Sequence, residues 1–148
     1  MADKSKTGME FPEFSFEVER GKIRELVQAI GDTNAVYVDP VAAQQEEYKD
    51  TPAPPTFGIL PVIWSNMLFK ALKDLDVKLN KVLHGEESYT YFQEIYPGDV
   101  LTGKMKVISL DTKTGKSGEM DLIGLEILYR NQKKEKVIQA NTLLVEKK

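Results

Sequence analysis

The sequence predicts an α+β domain, in which a single antiparallel sheet wraps around one long central helix. Two observations carry that prediction. Leu60, Ile63, Trp64, Met67, Leu68, Ala71, Leu72 and Leu75 recur at helical spacing along one continuous segment. Residues 88–145 then alternate apolar and polar side chains in successive runs separated by turn signals. One helix with so much apolar surface needs a cover, and half-apolar strands supply one.

The elements follow in order. Residues 1–10 are polar and charged and read as a loose tail, with the folded domain spanning 11–148. Phe14 and Phe16 alternate with polar neighbours, as in a short strand. Ile23, Leu26, Val27 and Ile30 share one helix face, and Gly31 falls where a left-handed C-terminal cap belongs. Asp32 to Asp39 is a loop of turn-forming residues. Pro40 suits the first turn of a short helix over about Val41 to Tyr48. The prolines of Thr51 to Thr56 force extended backbone. The long helix follows, with Pro61 in its first turn. Its apolar stripe assigns Trp64, Met67 and Leu68 to the core. Strands are expected over Ser88–Phe92, Val100–Leu110, Met120–Arg130 and Val137–Val145, arranged as a meander. Pro97-Gly98-Asp99, a polar hairpin loop over Asp111–Gly118, and Asn131–Glu135 separate them.

Composition narrows the chemistry. The chain has 148 residues, 41% hydrophobic and 29% charged, enough for one domain with a core. A net charge of −3 favours neither nucleic acid nor an anionic membrane. No apolar run is long enough to insert across a bilayer, and the first residues lack a signal-peptide core, so a cytoplasmic protein is expected. There is no cysteine, which removes disulfides and thiolate chemistry. With one histidine, His84, no metal centre is expected. Serine-nucleophile elbows and phosphate-binding glycine loops are absent.

The loop Asp32-Thr33-Asn34-Ala35-Val36-Tyr37 is the most informative segment. An Asp-x-Asn-x-x-His pattern sets a carboxylate and an imidazole on one loop, where they can activate water. Here Tyr37 stands at the histidine position. Asp32 is a candidate general base, but a turn cap or a substrate-lining residue fits it better. Asn34 either orients a water or carbonyl or bonds its own loop. Tyr37, with an ordinary pKa near 10, is a poor base at neutral pH. Packing suits it best, with a hydrogen bond to a carbonyl as the functional alternative. His84 can titrate near neutrality. It is a candidate acid–base group, although pairing with Glu86 or a neighbouring loop is the simpler reading. Pro54, Pro55, Thr56 and Phe57 form a wall of a binding tunnel, a stiff connector, or both at once. Amides near Gly58 could polarise a bound carbonyl. Lys104 and Lys106 either meet phosphate groups or simply face solvent, and the charges of Lys133 to Lys136 are a solvated turn.

Three motifs occur in order: the loop Ala29 to Asp39, Ala53-Pro54-Pro55-Thr56-Phe57, and Leu83-His84-Gly85-Glu86 followed by Pro97-Gly98-Asp99-Val100-Leu101. Together they resemble the N-terminal MaoC-like dehydratase domain, from about Phe14 to Val145. That family includes the small, non-catalytic-type subunits of (3R)-hydroxyacyl-ACP dehydratases. The resemblance implies the hot-dog fold. It also implies a homodimer or heterodimer with an acyl-thioester tunnel near the interface. In catalytic relatives, the loop Asp and His add water across a 2-enoyl thioester carried by coenzyme A or acyl carrier protein. The carrier belongs to the substrate, so no separate cofactor is implied. Tyr is common at the position of Tyr37 in N-terminal-type domains, and Ala35 replaces the usual loop proline, which loosens the loop.

Three functions follow. The first is an acyl-thioester-binding subunit completed by a catalytic MaoC-like partner. The second is a self-sufficient homodimeric hydratase using Asp32 and His84. The third is a non-catalytic acyl-CoA-binding module. The missing loop histidine favours the first and third, and the retained Asp32 and Asn34 weaken the third.

Overall fold

The computed structural model describes residues 3–115 and 118–148. Strand β1 (Phe14–Glu17) leads to helix α1 (Arg20–Ile30) and the short helix α2 (Pro40–Gln45). Helices α3 (Ile59–Trp64) and α4 (Met67–Asp74) follow. Four long strands complete the chain: β2 (Val82–Tyr91), β3 (Val100–Gly115), β4 (Gly118–Arg130) and β5 (Lys136–Lys147).

The strands form one five-stranded sheet in the order β1-β3-β4-β5-β2, with every pair antiparallel. The α+β class is therefore as the sequence predicts, with one correction to the topology. Only β3, β4 and β5 form a meander. Strand β2 pairs with β5, Tyr89 opposite Ala140, and the chain then crosses to the far side of the sheet to start β3. Adjacency in sequence does not decide which edge a strand joins.

The alternating residues of β3 to β5 build the core. Leu101, Met105, Ile123, Leu125, Ile127, Tyr129 and Ile138 are all at most 3% exposed. Ile23 and Val27 of α1, Val62 of α3, and Met67, Ala71 and Leu72 of α4 pack onto the same cluster. The bulge between Val107 and Ser109 lets the alternation slip, so Leu110 still points inward.

The central helix is broken where the periodicity reads straight through. Asn66 has φ +56°, between the end of α3 and the start of α4. Asn tolerates this left-handed conformation better than most residues. The break rotates α3 relative to α4, so Pro61 and Val62 face the core. Trp64 is thereby turned out, 57% exposed, with the Lys22 ammonium 4.1 Å from its ring centre. Met67 is core as expected, Leu68 is half-buried, and Trp64 is not core.

Two other expectations change. The residues read as a loose tail run beside β3. Gly8 N–H donates to Val107 O at 2.8 Å, Val107 N–H to Met9 O, and Phe11 N–H to Met105 O. The apolar anchor is Phe11, 3% exposed. The hairpin loop expected over Asp111–Gly118 is largely strand, because polar residues continue the ladder to Gly115 opposite Gly118. Its residues 116 and 117 lie outside the described residues. Among the described residues, no helix is long and apolar enough to cross a membrane.

Candidate functional site

The loop that carries the family-like pattern hangs from a well-capped helix. Gly31 takes φ +69° at the end of α1, and its N–H donates to Gln28 O. An Asp32 carboxylate oxygen accepts the Asn34 N–H at 2.8 Å, and Asn34 Oδ1 accepts the Val36 N–H at 3.1 Å. Asp39 repeats the device one step on, accepting the Val41 N–H at 2.9 Å at the start of α2. Asp32 and Asn34 are thus held by their own loop, as side chains of this kind commonly are. Val36 is buried and Tyr37 half-buried, so this short turn is pinned to the domain.

Tyr37 lines a cavity of about 240 Å³ together with Tyr48, Pro52–Pro55, Tyr91, Gln93, Glu94, Ile95 and Ile138. Three contacts frame it. Ala53 N–H donates to Ile95 O at 2.8 Å. The Tyr91 hydroxyl donates to Pro55 O, joining the end of β2 to the turn before α3. Arg20 grips both oxygens of Asp50, at 2.8 and 2.7 Å, and also donates to the Thr51 hydroxyl. This planar two-point grip fixes the proline segment against α1. Burial, and then the nearby Asp32 carboxylate, hold the Tyr37 phenol above its ordinary range. Burial followed by the Glu94 charge does the same for Tyr91. Both hydroxyls are therefore neutral donors at physiological pH.

The other expected site residues separate. Of the tunnel-wall set, Pro54 and Pro55 line this cavity. Thr56 is exposed, whereas Phe57 is fully buried with its ring edge-on to Phe16 at 6.1 Å. Gly58 is buried beneath Tyr89, so close that an added Cβ would lie 2.9 Å from the ring. Its carbonyl accepts the Tyr129 hydroxyl at 2.8 Å. The segment turns from loop to core within two residues, because Phe57 and Gly58 seat the start of α3 on the sheet.

His84 lies on β2 at a bulge with Glu86, and its Nε2 is 3.0 Å from a Glu87 carboxylate oxygen. The partner is Glu87 rather than Glu86, because the bulge at Gly85 resets which side chains share a face. From residue 84 to residue 91, β2 advances roughly 23 Å at the usual rise per residue. Tyr91 shares the cavity with Tyr37, which feels the Asp32 charge, so His84 lies at the opposite end of β2 from the Asp32 loop. Lys104 pairs with Glu10 at 2.6 Å on the exposed face.

Sequence reasoning missed Tyr48, Tyr91, Gln93, Glu94 and Ile138 as lining residues. The signal was the density of aromatic residues from Tyr89 to Tyr96, but only β2–β5 pairing brings it to Ile138. A second cavity of about 370 Å³ opens at the far end of the sheet, near Leu75, Lys78, Asp121 and Glu146. Among the described residues, no cluster suited to a metal ion is present.

Comparison with known proteins places the chain. The family model for the FAS1-like dehydratase domain region matches residues 5–140. A UPF0336 protein of Streptomyces avermitilis is 33% identical over 146 residues, 97% of this chain and 93% of that protein. One from Thermobifida fusca is 32% identical, covering 92% and 86%. The C-terminally truncated HadBC (3R-hydroxyacyl-ACP dehydratase) complex of Mycobacterium tuberculosis superposes with a TM-score of 0.79 at 24% identity, covering 95% of this chain and 96% of that one. A MaoC-like dehydratase superposes at 0.84 and 24% identity, covering 96% of this chain and 42% of the other. The chain belongs to the FAS1-like dehydratase family, with the hot-dog fold that its MaoC-like motifs imply.

Proposed function

We propose that this chain is the acyl-thioester-binding subunit of a (3R)-hydroxyacyl-CoA or hydroxyacyl-ACP dehydratase, completed by a MaoC-like partner that carries the catalytic Asp/His loop. The observation that carries this reading is the disposition of the chain's own acid–base groups. Tyr37 occupies the histidine position, Asp32 and Asn34 bond their own loop, and His84 is paired with Glu87 far along β2. No imidazole stands beside Asp32 to share a water with it, as general acid–base catalysis of hydration needs.

The role left to the chain is shape and hydrogen bonding. The Tyr37 hydroxyl can donate to a thioester carbonyl at the cavity, where the Tyr91 proton is already given to Pro55 O, and Pro52–Pro55 forms a stiff wall. Coenzyme A or acyl carrier protein enters as part of the substrate, with no further cofactor. The partner's place is the outer edge of β2, whose backbone is unpaired among the described residues. Leu83 and Tyr91 of this strand, and Phe92 just after it, are each 47–51% exposed. A long, partly apolar edge of this kind is a template for another strand. The HadBC neighbour is itself a complex, which supports a paired assembly.

Thermal unfolding with 2-enoyl-CoA tests the binding role. The isolated chain should melt at a higher temperature as the thioester concentration rises, while the conjugated-thioester absorbance stays constant. Tyr37→Phe should reduce the shift by removing one donor. Hydration of the thioester by the chain alone would support the homodimeric reading instead, and an unchanged melting temperature would remove both.

A further inference from the structure

The tyrosine-lined cavity has a character that a hydrocarbon chain does not explain. Tyr37, Tyr48 and Tyr91 all line it, with Ile95 and Ile138 supplying apolar surface. The same wall includes the Glu94 carboxylate, which has no ion-pair partner among the described residues. Covering a carboxylate with methylenes alone removes its water and returns nothing. Tyrosine faces are electron-rich and attract cations, most strongly when the cation is poorly hydrated. Next to the cavity the aromatic cluster already holds one: the Lys49 ammonium lies 4.2 Å from the ring centre of Tyr96. Tyr96 does not line the cavity, so the Lys49 contact leaves Tyr37, Tyr48 and Tyr91 without a cation on their rings among the described residues.

We propose that this cavity is a binding site for an alkylammonium group, seated among Tyr37, Tyr48 and Tyr91 with Glu94 balancing its charge. A quaternary ammonium fits the lining best. It has no N–H to satisfy, its methyl groups pack on Ile95 and Ile138, and its charge meets both the rings and the carboxylate. This inference goes beyond the acyl-thioester reading and does not rest on it.

The test is calorimetric titration of the full chain with choline and with its neutral isostere, 3,3-dimethyl-1-butanol. Choline should bind roughly tenfold tighter than the isostere, a difference set by charge alone. Glu94→Gln should remove most of that preference, because it keeps shape and loses charge. Tyr48→Leu should weaken choline while sparing the isostere. Unchanged far-ultraviolet circular dichroism would show that both variants are folded; should Tyr48→Leu fail to fold, Tyr48→Phe, which keeps the ring, should retain choline binding. Equal affinity for the two probes, no binding of either, or a charge preference that survives Glu94→Gln would each overturn the proposal. Choline contains no thioester, so none of these results bears on the dehydratase pairing.

Discussion

Tyr129 is the residue on which the inner framework of the site turns. It is fully buried, packs edge-on to Phe14 at 6.0 Å, and donates to Gly58 O at the start of α3. Tyr129→Phe leaves that buried carbonyl without its donor. It should lower stability by about 1–3 kcal/mol in a denaturant titration. Burial is also the main cause that raises the phenols of Tyr129 and Tyr89, with nearby tyrosine and Glu87 charges adding to it. A phenol raised by folding adds stability that is complete below its unfolded value, near 10. That stability is lost as pH climbs through the folded value. The melting temperature should therefore fall steeply above about pH 10. In Tyr89→Phe the decline should be shallower, and an identical slope would count against the buried-phenol explanation. The loop residues behave differently. Asn34→Ala removes a cap and should cost about 1 kcal/mol, without an effect on thioester chemistry performed by a partner.

At the scale of elements, the break at Asn66 and the free edge of β2 shape what the molecule can do. Asn66→Gly keeps the left-handed turn and should be close to neutral. Asn66→Val should cost about 1 kcal/mol or more, read as a lower denaturation midpoint. Periodicity alone could not reveal the break, because apolar spacing continues through Ser65 and Asn66 while the backbone does not. Hence the apolar stripe assigns Trp64 to the core, and the structure places it outside. The strands were more legible, since alternation in β3 and β4 follows burial except where the bulge shifts it. Their pairing was not legible, because β2 and β3 are neighbours in sequence and lie far apart in the sheet. If β2 is the partner edge, its outward amides should exchange hydrogen quickly in the isolated chain and slowly in the complex. Exchange in β2 that is unchanged on adding the partner would place the interface elsewhere.

For the molecule as a whole, family and fold were readable from three short motifs in order, and the sheet and family match agree with them. The site was readable only in part. Its loop is one continuous segment, so Asp32, Asn34 and Tyr37 could be picked out. The cavity instead joins Tyr37 and Tyr48 to Pro52–Pro55, Tyr91–Ile95 and Ile138, which only the folded sheet assembles. The same assembly pairs His84 with Glu87 on β2, while Asp32 bonds its own loop. The most direct test of this account is hydration of 2-enoyl-CoA by the purified chain, alone and with a MaoC-like partner bearing the Asp/His loop. The expected result is no turnover by the chain alone, and turnover by the pair that survives His84→Ala but not loss of the partner's loop histidine. Turnover by the chain alone that is lost in Asp32→Asn and His84→Ala would contradict the account and make this protein a catalyst in its own right.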